Sequence, residues 1–129
     1  MPTEAEWEYA CRAGTTGAYA GKLEDMGWYD GWYDGNSWNW THSVGKKQPN
    51  AWGLYDMHGN VWEWCADWYG DYPGGAVTNP TGAGSGDLRV LRGGSFRNRA
   101  SYCRSAIRDR DYPGCGDVSY GFRPIARRE

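Results

Sequence analysis

Phenylalanine, histidine and long apolar runs are nearly missing from this sequence. The chain of 129 residues holds two Phe, three Met and two His, and no stretch has the length of apolar residues needed to cross a bilayer. It has no CxxC pair or metal-finger spacing, no Gly-x-Ser-x-Gly elbow and no His-Glu-x-x-His. Those gaps remove the common motif routes to a zinc module, an elbow-type hydrolase or a metalloprotease. A signal-peptide pattern is also missing: Met1 is followed by Pro-Thr-Glu-Ala-Glu-Trp-Glu, acidic where a signal would be basic. The expectation is a soluble chain without membrane insertion. Display at a cell or phage surface would then run through another part or partner.

What is abundant is just as informative. Nine Trp, ten Tyr and twenty Gly dominate the composition. Trp and Tyr cover wide areas yet need a partner for their polar tips, and Gly opens backbone conformations closed to other residues. These features predict an irregular α+β domain of aromatic plates and long loops, not a helical bundle. Charge is divided along the chain: residues 1–88 hold four Lys/Arg against twelve Asp/Glu, a net of −8, and residues 89–129 hold ten Arg against four Asp/Glu, a net of +6. A basic half can mark a nucleic-acid partner. Here Asp and aromatics interrupt it and every cation is Arg, so the preferred reading is bidentate pairing with acids of the first half. Nucleic acid is therefore disfavoured as a partner. Cys11, Cys65, Cys103 and Cys115 permit two disulfides without requiring them.

Thr3 and Glu6 form a capping-box pattern, which starts a short helix that Gly14 ends. Residues 15–48 read as loops, with the tandem repeat Gly27-Trp28-Tyr29-Asp30, Gly31-Trp32-Tyr33-Asp34 followed by Trp38 and Trp40. Burial as core plates is the preferred role for these Trp, with an exposed platform as the alternative. Alternation from Val61 to Tyr69 predicts a strand in which Trp62 and Trp64 are core plates. Further strands are expected at 88–95, 100–108 and 121–125.

Four segments then carry a resemblance. Pro2–Ala10, Pro49–Trp64 (with Asp56-Met57-His58-Gly59-Asn60-Val61-Trp62-Glu63-Trp64), Arg92-Gly93-Gly94-Ser95-Phe96 and Gly121-Phe122-Arg123 resemble successive signatures of the formylglycine-generating-enzyme (sulfatase-modifying factor) superfamily. The resemblance implies one C-type-lectin-like domain over 1–129, with short antiparallel strands, one or two helices and long Gly/Trp-rich loops. It also implies that the usual N-terminal part of the superfamily domain is missing. Active members resemble Gly-Gly-Ser-Phe-x-Cys-x-x-x-Tyr-Cys here and bind copper through the two cysteines. This chain has Cys103 at the second position and Asn98 at the first. An amide is a poor ligand for soft Cu(I), so a copper-dependent oxidase, or a degenerate member of that enzyme family, is the alternative reading.

The last third is more similar to variable proteins of diversity-generating retroelements. These share the Arg-Gly-Gly-Ser … Gly-Phe-Arg frame and diversify the residues between by adenine mutagenesis. An AAC codon randomised at both adenines cannot encode Lys, Glu, Gln, Met or Trp. All five are missing from 96–120, although each occurs elsewhere in the chain. The resemblance implies a ligand-binding surface of Phe96, Arg97, Arg99, Ser101, Tyr102, Ile107, Asp109, Asp111, Tyr112, Asp117, Val118, Ser119 and Tyr120, with a protein or other macromolecule as partner. Phe96, Tyr102, Tyr112 and Tyr120 would anchor, and Arg104, Arg108 and Arg110 would tie the segment to acidic groups. No cofactor is required. Asp56, Gly59, Val61 and Glu63 resemble the family's calcium loop, with two carboxylates and two main-chain carbonyls. The alternative is that Asp56 caps a turn and Glu63 pairs with an Arg.

Overall fold

The computed structural model describes residues 1–128. Thr3 caps the first helix, α1 (Glu4–Arg12), as its sequence predicts: Thr3 Oγ1 accepts from Glu6 N–H at 3.2 Å, and Glu6 Oε2 accepts from Thr3 N–H at 2.9 Å. The helix ends one residue before the expected glycine, on Ala13 in the left-handed region. A single turn, α2 (Leu23–Met26), is the one helix inside 15–48.

Four short strands make one sheet: β1 (Trp62–Trp68), β2 (Arg89–Arg92), β3 (Arg108–Asp111) and β4 (Tyr120–Gly121), in the order β3-β2-β1-β4. β2 is antiparallel to both β1 and β3, whereas β4 runs parallel to β1, pairing Trp62 with Tyr120 and Glu63 with Gly121. The strand expected at 100–108 divides into a 3₁₀ turn at Ala100–Cys103 and β3. The strand expected at 121–125 is only the two-residue β4.

β1 places its faces differently from the alternation argument. Glu63, Cys65 and Asp67 are buried toward α1: Trp7 Nε1 donates to Glu63 at 2.8 Å, and Glu4 N–H donates to Asp67 at 2.7 Å. Trp62 is core, as expected, but Trp64 is only half-buried and meets the edge of Tyr120 at 5.5 Å. Trp68 likewise lies under the Arg89 guanidinium at 3.5 Å. The amphipathic rings roof the outer face while polar groups satisfied by α1 occupy the inner one.

The inner layer is held by charge as well as by apolar packing. Trp7, Cys11, Met57, Cys65 and Val90 form one apolar cluster. Beside it the fully buried Arg92 donates to the carbonyls of Ser105 and Ile107 at 2.6 and 2.9 Å and to the Glu8 carboxylate. Its Nε lies 3.0 Å from Glu4 Oε1, within ion-pair range but off the hydrogen-bonding direction. Arg108 and Glu4, Arg123 and Glu63, and Arg127 and Glu6 add pairs of the same sense. The basic half thus closes on the acidic half. All four cysteines are free, and only Cys115 is exposed.

Candidate ligand-binding face

The segment from 96 to 120 leaves the core at Gly93-Gly94 and returns to it at β4. Both glycines have positive φ, and a Cβ on Gly94 would lie 2.6 Å from Cys103 Sγ, so this exit fits only glycine. Between these ends Arg97, Arg99, Ser101, Tyr102, Asp109, Tyr112, Asp117 and Val118 are exposed, and Ile107, Asp111 and Tyr120 are half-buried. Eleven of the thirteen candidate positions therefore reach solvent.

Two do not. Phe96 is 3% exposed, and Ser119 is also buried. Phe96 is a pinned junction instead of an anchor: its N–H donates to Asn60 O at 2.8 Å, while its carbonyl accepts from Gly31 N–H at 3.1 Å and from Ser37 Oγ at 2.7 Å. Ser119 turns inward because its carbonyl accepts from Trp62 N–H at 2.7 Å, joining β4 to β1.

Short-range bonds fix the exposed groups. Asp111 accepts from Tyr120 Oη and from Tyr112 N–H, both at 2.8 Å. The Tyr120 bond draws the Asp111 carboxyl below its ordinary range, while burial and the facing Asp111 charge push the Tyr120 phenol up. Asp117 accepts from Ser119 Oγ and N–H, which lowers its pKa as well. Of the three arginines expected to tie the segment down, only Arg108 pairs with an acid. Arg104 donates to Ser101 O at 2.7 Å, and Arg110 lies over the Tyr69 ring at 4.4 Å.

The copper pair does not fit the residues present, and the calcium loop has one of its two carboxylates engaged. Cys103 is fully buried, its thiol pushed up to about 12 by desolvation, and Asn98 Oδ1 is held by Ser95 Oγ at 2.6 Å. One thiol beside an engaged amide is not the thiolate pair that soft Cu(I) takes. In the loop resembling a calcium site, Glu63 accepts from Arg123 at 2.9 and 3.1 Å and from Trp7 at 2.8 Å, so both its oxygens are taken. Asp56, at φ 57°, accepts from Gly45 N–H at 2.9 Å, and only its buried Oδ1 has no partner. Of the two carboxylates this loop was expected to offer, Glu63 is engaged and Asp56 keeps one free oxygen. Gly59 and Val61 remain turn and strand-entry residues, with Gly59 N–H donating to Gly93 O at 2.7 Å.

The larger concavity, about 650 Å³, lies between α1 and the 70–83 loop, lined by Glu4, Tyr9, Asp67, Tyr72, Val77 and Arg108. It shares only Arg108 with the 96–120 segment.

Comparison with known proteins agrees with this architecture. The family described as Sulfatase-modifying factor enzyme 1-like domain matches residues 1–128. The chain belongs to this family. It is 38% identical to the formylglycine-generating enzyme of Streptomyces coelicolor over 95% of this chain and 45% of that protein. It spans less than half the length of that relative. Among solved structures it is similar to Treponema denticola variable protein 1, at 43% identity and a TM-score of 0.86, over 95% of this chain and 45% of that one. PvdO from Pseudomonas aeruginosa follows at 32% identity and 0.81, over 95% and 50%. The α+β, C-type-lectin-like architecture of the family is that of this chain.

One surface follows the alternative reading and not the preferred one. Trp32, Trp38 and Trp40, for which core burial was preferred over an exposed platform, are exposed, as is Tyr33. Of the repeat's aromatics, Tyr29 is core and Trp28 is half-buried against His42, the two rings stacked at 3.7 Å. The signal was the number of Trp in so short a loop without apolar residues to face them.

Proposed function

We propose that this family member is a ligand-binding module whose diversified face runs from Arg97 to Tyr120, and that it does not catalyse. The observation that carries the reading is a division of labour inside one segment. The residues free of Lys, Glu, Gln, Met and Trp are mostly in solvent, while the interspersed Cys103, Ser105 and Arg108 hold the segment to the core. A surface that must vary has to contribute little to folding, and a rigid frame keeps the ordering cost of binding low. Exposed Tyr, Ser, Asp and Arg supply the chemistry that paratopes use, rigid aromatic area with adaptable polar groups. The similarity to a variable protein supports the same reading. The ligand is a protein or other macromolecule, in keeping with the paratope-like chemistry of the exposed side chains. No cofactor is needed, and Arg123 in place of a cation leaves the 56–63 loop a structural one.

Sequencing this coding segment across a natural population tests the reading. Substitutions should concentrate at 97, 99, 101, 102, 107, 109, 111, 112, 117, 118 and 120, with a near-identical template repeat and a reverse transcriptase gene beside it. Variation spread evenly over the chain, or no template repeat, would contradict it.

A further inference from the structure

The loop carrying the tandem repeat adjoins the diversified face and is built to expose its tryptophans. Trp32, Trp38 and Trp40 are 70%, 80% and 71% exposed, and Tyr33 is 71% exposed. Their backbone, by contrast, is fixed to the core. Ser37 is fully buried: its Oγ donates to Phe96 O at 2.7 Å and accepts from Asn39 N–H at 3.2 Å, and its carbonyl accepts from Trp40 N–H at 3.2 Å. Asp30 N–H donates to Asn98 O at 2.9 Å and Gly31 N–H to Phe96 O at 3.1 Å. Gly31 packs so closely on the Asn39 backbone that any Cβ would overlap it, which sets Trp32 beside the Trp38–Trp40 turn.

Trp38 and Asn39 also occupy the left-handed region, at φ 57° and 58°. Asn tolerates this conformation, but a bulky aromatic rarely adopts it. The chain therefore holds an unfavourable backbone at the residue whose indole is most exposed. Such strain persists only where surrounding structure imposes it, and it clusters at functional positions.

We infer that residues 31–40 form an aromatic platform that extends the diversified face, and that its occupant is a folded protein presenting an apolar patch. The inference rests on the binding-module reading and adds the partner's chemistry. Area decides against a single sugar ring: four side chains at this exposure present roughly 600 Å², taking about 200 Å² for each whole aromatic side chain. That approaches the ~800 Å² that one partner contributes to a standard protein interface. Charge at the junction is mixed. Arg97 and Arg99 stand where the platform meets the diversified face, and Asp34 lies within the platform, all three exposed. The nearest carboxylate to Arg97 is Asp117 at 3.9 Å, and Arg99 makes no ion pair among the described residues, its guanidinium lying 5.0 Å from the Tyr33 ring. Trp, Tyr and Arg together are the residue types that dominate interface affinity.

The test displays the chain on phage with 101, 102, 107, 109, 112 and 118 randomised, selected against purified serum albumin and in parallel against lysozyme. Each albumin binder is then moved onto a frame carrying Trp32→Ser, Trp38→Ser and Trp40→Ser, with Trp38→Ser alone as the second variant should the triple change unfold the chain. The platform predicts an affinity loss of at least about 30-fold on the serine frame and unchanged thermal melts. Equal affinity on both frames overturns the platform while the binding module stands. Dissociation of a dimer by the serine changes, with albumin affinity unaltered, makes the loop a self-contact and overturns the proposal. No binders to either target from a folded library overturns the binding module itself.

Discussion

Arg108 grips Glu4 with two parallel bonds, Nε to Oε1 at 2.6 Å and Nη2 to Oε2 at 2.9 Å, across 104 positions of sequence. The pair lies between the rings of Tyr69 and Tyr72 and ties the outermost strand to the first turn of α1. It separates what is fixed from what is free within 96–120. Arg108→Ala should cost about 3–5 kcal/mol, because the buried Glu4 loses its bidentate partner. Arg97→Ala and Arg99→Ala should stay within about 0.5 kcal/mol, as changes on an exposed surface. Urea unfolding of the three variants checks the contrast.

Thiol chemistry tests the non-catalytic reading. Burial pushes Cys11 up to about 11 and Cys103 up to about 12, and raises Cys65 as well. Cys115 alone is exposed, though the Asp111 carboxylate raises its thiol too. A thiol reagent at pH 8 should label one cysteine in the native protein and four after denaturation. With copper and oxygen present, a Cys-x-Pro-x-Arg peptide should not become an aldehyde. Turnover above a Cys103→Ala control would refute that reading.

Acid should destabilise the fold through His58 before the carboxylates protonate. Its Nδ1 lies 2.7 Å from Cys103 O and its Nε2 accepts from Ala20 N–H at 3.1 Å, an arrangement that needs the neutral Nδ1–H tautomer. Burial lowers its pKa below the ordinary 6.5. The unfolded chain therefore binds the proton first, and stability falls as pH drops below about 6.5. Melting temperatures from pH 7.5 to 5 should decline, and a His58→Gln variant should start lower but lose less over that interval.

Calcium should have little effect, since Arg123 already neutralises Glu63. Millimolar calcium and a chelator should give the same melting temperature. A rise of several degrees with calcium would mean the ion displaces Arg123 from the loop.

How far the sequence foretold this arrangement varied with the range of the interactions. Thr3 and Glu6 were legible because a capping box is local, and the Arg–acid pairing followed from the divided charge. Which Arg would pair with which acid was not, because Arg108 and Glu4 meet only through the sheet. Phe96 was misplaced because an apolar residue in a diversified segment reads as an anchor; its burial depends on Ser37 and Asn60, far away in the chain. Core burial was preferred over an exposed platform for Trp38 and Trp40 because Trp usually covers apolar neighbours, and the ties that expose them run through Ser37 to Phe96. Trp64 exchanged places with Glu63 and Cys65 because the inner face of β1 is satisfied by α1 through polar bonds, which alternation of hydrophobicity does not register.

The most direct test of the central claim compares two libraries for their soluble, monodisperse, cooperatively melting fraction. One is randomised at Arg97, Arg99, Ser101, Tyr102, Ile107, Asp109, Asp111, Tyr112, Asp117, Val118 and Tyr120. The other is randomised at an equal number of sites between Trp52 and Trp68, where Asp56, Met57, His58, Asn60, Trp62, Glu63, Cys65 and Asp67 are buried. Substituting such positions costs about 2–5 kcal/mol each against a total of about 5–15 kcal/mol for a domain. The first library should remain mostly folded and the second almost entirely not. Equal losses in both would contradict the account of a rigid frame carrying a tolerant binding face.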